Sequence, residues 1–126
     1  MMQELTVDGK MPDFNAISNA MKGHWSAYSK EKRRWTDTVV WLCKEAQLRP
    51  VEAPVMLEFT WYAKDRRRDP DNIRSIGSKF IIDGLVKAQV LADDGWRNIV
   101  GFKDHFQIDK ERPRCLVRIW PQEDEE

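Results

Sequence analysis

The chain has 126 residues, 33% of them charged, with mean hydropathy −0.66, so one soluble globular domain is expected and two are excluded by length. No apolar run approaches the roughly 18 residues needed to cross a bilayer, and "MMQELTVDGK" is not a secretory leader, which points to the cytoplasm. Lys plus Arg and Asp plus Glu each number 21; without the four acids of the terminal "EDEE", residues 1–122 carry +4. Residues 1–122 therefore read as the domain and 123–126 as an acidic tail.

"ELTVDG" predicts a short first strand and a turn. "KMPDFNAISNAMKGHW" is broken by Pro12, Asn15, Asn19 and Gly23, and reads as a long loop with one helical turn. From Ser26 to Glu45, Trp35, Val39 and Leu42 recur at helical spacing while Lys30, Lys32, Arg33 and Asp37 take other faces, and Lys30, Lys32, Arg33 and Arg34 form a basic cluster. Cys43, in this segment, and the distant Cys115 lack zinc-ligand spacing and read as reduced thiols. "VMLEFTWYA" at 55–63 is β-branched and aromatic, hence a strand, and it leads straight into "KDRRRDPDN".

A second helix is expected over "NIRSIGSKFIIDGLVKA", with Asp69 or Asp71 as its N-cap and Pro70 suited to its first turn. "VLADDGW" reads as a tight acidic turn. "RNIVGFKDHFQID" and "RCLVRIW" then read as a two-stranded hairpin joined around "KERP". The order is β-α-β-α-β-β: an α+β single domain with a small mixed sheet and helices packed on it.

The stretch "RRRDPDN" sets the densest positive charge beside two carboxylates. Asp69 and Asp71 precede the second helix, and Asp93 and Asp94 follow it. Either pair alone reads as a cap or a turn. Together, converging in the fold, they would suit a hard divalent cation, because Mg²⁺ takes oxygen ligands and retains waters. Arg66, Arg67 and Arg68 carry planar forks suited to phosphate. An EF-hand is excluded, since Ile73, Arg74 and Phe80 would occupy positions needing an oxygen donor, a glycine and a glutamate. A glycosidase could use two carboxylates, with Trp61 and Trp96 to stack sugars, but leaves the arginines unexplained. His24 and His105 sit in contexts that suggest surface or packed residues. Lys79 lies between Asp71 and Asp83 on a polar stripe that also holds Ser75 and Lys87. It is placed to balance charge developing on a phosphate, whereas Lys87 reads as part of an exposed salt-bridging face.

"RRRDPDN", Lys79 and Asp83 in "KFIIDGL", and "VLADDGW" together resemble the RusA family of Holliday junction resolvases over roughly residues 64–96. The N-terminal third is similar only in outline, and the Asp71–Lys79 interval is about one helical turn longer than in the best-known members. The resemblance implies a homodimeric, Mg²⁺-dependent endodeoxyribonuclease, with Mn²⁺ as an alternative metal, that resolves four-way DNA by paired cuts. It places metal ligands at Asp69, Asp71 and Asp94, with Asp93 secondary, the catalytic lysine at Lys79 and a weaker candidate at Asp83. Arg66, Arg67, Arg68 and Lys79 would contact DNA. A bacterial or prophage setting is implied as well. Two alternatives stay open: a dimeric branched-DNA-binding protein without cleavage, and a nuclease of flaps or single strands. Not all six tryptophans fit so small a core, so Trp96 and Trp120 are candidates to cover a partner subunit.

Overall fold

The computed structural model of the chain describes residues 1–12 and 25–122, with the side chains of 25–27 left out. Most of the expected loop, His24 and the acidic tail lie outside the described residues. The elements are β1 (Gln3–Asp8), α1 (Trp25–Glu45), β2 (Val55–Ala63), α2 (Pro70–Lys87), β3 (Ile99–Ile108) and β4 (Arg114–Pro121), the expected α+β order. None of the described helices is long and apolar enough to cross a membrane.

Strand β2 alternates strictly, with Val55, Leu57, Phe59, Trp61 and Ala63 buried on one face. That period-2 pattern makes it a central strand of the sheet, whose order is β1-β4-β2-β3. Here the expected hairpin is corrected. Strand β4 pairs antiparallel with both β1 and β2, while β3 pairs parallel with the opposite edge of β2. The link from Ile108 to Arg114 therefore steps over β2, about two strand spacings of 4.8 Å. Its start is pinned where the Asp109 N–H donates to the Ala63 carbonyl (2.8 Å), its end where the Gly9 N–H donates to the Pro113 carbonyl (3.0 Å). The parallel pair in turn requires a crossover, and α2 supplies it.

Both helices serve one core: Trp35 and Val39 of α1, and Phe80, Ile81 and Leu85 of α2, join the buried row from β1, β2 and β4. Gly84 lets α1 and α2 approach closely, since a Cβ there would lie 2.5 Å from Val39. Both helices end with a glutamine in the left-handed region, Gln47 (φ 54) and Gln89 (φ 64). In each, the next N–H reaches back to a carbonyl five residues earlier: Leu48 to Cys43 (3.0 Å) and Val90 to Leu85 (2.9 Å). These are Schellman closures, which satisfy carbonyls the helix leaves orphaned.

Strand β3 is the exception to the covered sheet. Its Phe102, Asp104, Phe106 and Ile108 stand in register with Leu57, Phe59, Trp61 and Ala63, on the side the helices cover elsewhere. Yet Val100, Phe102, Phe106 and Ile108 are 40–56% exposed, and among the described residues no strand pairs with the outer edge of β3.

Candidate metal and nucleic-acid site

The site begins where β2 ends. Pro70 opens α2 because its ring presets the helical φ and its missing N–H would be orphaned there in any case. Asp69 takes the N-cap position with extended backbone, but its carboxylate makes no capping hydrogen bond, so the expected capping role goes unfilled at this residue. Asp71 occupies the first turn. Both are exposed, and among the described residues neither carboxylate has a hydrogen-bonded or ion-paired partner. The positive end of the helix dipole favours two negative charges there without consuming their oxygen lone pairs.

A cleft of about 450 Å³ opens beside them, lined by Asp69, Arg66, Arg68, Ile73, Phe106 and Ile108. Arg66 and Arg67 are exposed, and Arg68 is half-buried at the cleft wall. Arg67 lies 3.8 Å from Asp65 in a loose ion pair, with its side chain 90% exposed. The Arg67 backbone N–H, followed by the charges of Arg67, Lys64 and Lys10, holds the Asp65 carboxyl below its ordinary value. Lys10 thus belongs to the same basic rim, a contribution from the first loop that spacing alone does not reveal.

The second aspartate pair lies elsewhere. Helix α2 has 18 residues, a span of about 27 Å, and Asp93 and Asp94 follow its far end. Asp94 lines a different cleft of about 360 Å³ with Trp96, Val100 and Phe102, at the start of β3. Within one chain the four aspartates therefore do not converge, and no group of three or more His, Cys, Asp or Glu suited to a metal occurs among the described residues. The reason is topological: a parallel β-α-β unit leaves the residues before and after its helix at opposite ends of the sheet.

Lys79 is exposed, but it sits about 12 Å along the helix axis from Asp71. Asp83 is engaged by Lys32 of α1 (3.8 Å), and Lys87 forms the expected exposed salt bridge, with Asp37 (2.7 Å). The polar stripe thus belongs to the α1–α2 seam at its C-terminal end. Of the remaining chemistry, His105 shares a hydrogen bond with Glu58 (2.8 Å) on the open sheet face. Both thiols are buried and unpaired; burial pushes Cys43 up to about 11 and Cys115 well above its usual range, so neither is a ready nucleophile. Trp96 is 95% exposed, while Trp120 is only partly so and donates to Glu58 (2.9 Å).

Besides Lys10, the sequence reading missed Asp104 and the structural part played by Arg74. Asp104 accepts the Trp61 indole N–H (2.7 Å) and the Arg74 Nε–H (2.8 Å). A carboxylate in the apolar register of "FKDHFQI" was the available signal. No protein-family model matches the chain, and no curated protein matches it in sequence.

Proposed function

We propose that this chain is a Mg²⁺-dependent DNA endonuclease of the RusA resolvase kind, acting on four-way junctions as a two-fold homodimer. One observation carries the proposal: Asp69, with Asp71 two residues on in the first turn of α2, lines a cleft with Phe106 and Ile108 at one end of β3, and Asp94 lines a cleft with Phe102 at its other end, Phe102, Phe106 and Ile108 sharing one face of the strand. A ten-residue edge strand that exposes Phe102, Phe106 and Ile108 along one face is a template for pairing with another chain. A second copy adding antiparallel about the midpoint of β3 would set the Ile108 end of one strand beside the Ile99 end of the other. Asp69 and Asp71 would then meet Asp94 of the second copy, with Asp93 adjacent. The same contact would cover Phe102, Phe106 and Trp96, and closed two-fold symmetry would yield two equal sites for a substrate that is itself nearly two-fold.

The donor set fits a hard cation: carboxylate oxygens that, among the described residues, are unpaired and have no sulfur or imidazole beside them. Asp69, Asp71 and Asp94 would hold the ion, which when bound supplies charge neutralisation at the phosphate and an acidified water. Arg66, Arg67 and Arg68 bind flanking phosphates and orient the backbone without reading bases. Hydrolysis joins a water oxygen to phosphorus and breaks the P–O3′ bond, leaving a 5′-phosphate and a 3′-hydroxyl.

Complementation gives the test. Asp71→Asn and Asp94→Asn homodimers should each fail to cut a four-way junction in Mg²⁺. A co-refolded mixture should regain nicking, because in the heterodimer one site receives both mutations and the other neither. No rescue would place each site within one chain. Binding without cleavage by wild type, in Mg²⁺ as in EDTA, would identify a branched-DNA-binding protein, and equal cutting of flaps or single strands would identify a less selective nuclease. Converting Arg67 and Arg68 to Ala should weaken binding to all sequences alike and flatten its salt dependence by about one unit of slope per lost phosphate contact.

A further inference from the structure

The first turn of α2 has no side-chain cap to fix it, yet a metal site demands placement within about 0.5 Å. What holds this end of the helix is a three-residue clamp. Gly77 brings α2 hard against β2: a Cβ there would come 2.8 Å from the Trp61 ring. The indole wedged beneath it turns its N–H to Asp104 Oδ1 (2.7 Å). Asp104 Oδ2 accepts the Nε–H of Arg74 (2.8 Å), one turn beyond Asp71. The Asp104 side chain is 17% exposed and that of Arg74 29%, so this ion pair is far better shielded than Lys87–Asp37 at the other end of α2. Strand β3, with one ladder neighbour, is tied to α2 through this carboxylate.

We infer that Asp104 is a positioning residue: through Arg74 and Trp61 it sets the first turn of α2, and with it the metal affinity of Asp69 and Asp71. The inference rests on the metal-dependent nuclease reading. Both oxygens of Asp104 receive donors, so Asn at this position, with one oxygen and one NH₂, must turn an amide N–H against either Trp61 or Arg74. Lysine in place of Arg74 keeps the charge but loses the planar fork.

The test measures Mn²⁺ binding to the full chain by titration calorimetry, without DNA, beside thermal melts in EDTA. Asp104→Asn should weaken Mn²⁺ binding about tenfold, the scale seen when partners behind metal ligands are altered. Arg74→Lys should fall between it and wild type. Lys87→Ala, which breaks an ion pair on the same helix remote from the first turn, should bind Mn²⁺ as wild type does. A merely structural role would lower melting temperature in EDTA and leave the affinity of the folded protein unmoved. Unchanged Mn²⁺ affinity in Asp104→Asn, measured where it is folded, overturns the inference alone; if that variant does not fold, unchanged affinity in Arg74→Lys does so. A wild-type chain that binds no Mn²⁺ overturns the nuclease reading and the inference together.

Discussion

The two ends of α2 are held differently. Toward its C-terminus Asp83 faces Lys32, Lys87 faces Asp37, and Gly84 admits Val39 against the helix backbone. Toward its N-terminus the exposed carboxylates of Asp69 and Asp71 have no hydrogen-bond or ion-pair partner among the described residues, while the clamp beneath them is shielded. Charge is matched where the helix has only to pack. It is left unmatched where a ligand would complete it, and there a shielded ion pair fixes the backbone instead. A serine or threonine cap would stabilise the N-terminus by about 1 kcal/mol. The helix dipole favours Asp69 and Asp71 here, but the Asp69 carboxylate forgoes the capping hydrogen bond that its position offers.

Four substitutions break or sharpen this contrast. Asp71→Asn keeps the side-chain shape and removes a charge that a hard cation needs. Junction cleavage should fall about a hundredfold or more, a larger loss than partners behind metal ligands typically produce, with junction binding retained in a gel-shift assay. Near-normal cleavage would reduce Asp71 to a first-turn residue.

At the opposite end, Gly84→Ala drives a methyl into Val39 and the Thr36 carbonyl. Overpacking of this kind costs about 1–3 kcal/mol, partly offset by alanine's better helix propensity. Urea unfolding should show the loss, with cleavage per folded molecule unchanged.

Gln89 takes a left-handed conformation (φ 64) that glycine adopts without a Cβ penalty. Gln89→Gly should therefore gain about 1 kcal/mol in the same measurement. No gain would mean that the lost glutamine side chain or extra unfolded-state entropy cancels the relief.

The smallest effect is expected for Lys87→Ala, whose ion pair is more than half exposed on both sides. About 0.5 kcal/mol or less should be lost, and the loss should shrink further in high salt.

Much of the local structure was legible in the residues alone. The β-branched and aromatic content of "VMLEFTWYA" specifies a strand, and Pro70 after a strand suits the first turn of α2, since both follow from steric preferences within a few residues. The motif "RRRDPDN" was visible as chemistry because charge type and spacing need no fold to be noticed. Strand partnership was not legible: β4 lies between β1 and β2 rather than beside β3, a choice made by which apolar rows complete one core across the chain. Only the tertiary structure leaves Phe102, Phe106 and Ile108 of β3 exposed: α2 reaches that row at Asp104, through Arg74, and the apolar residues on either side stay open. The separation of the aspartate pairs and the Trp61–Asp104–Arg74 clamp were likewise decided by tertiary packing. Distance and burial depend on where a crossover helix lands, and no local preference encodes that.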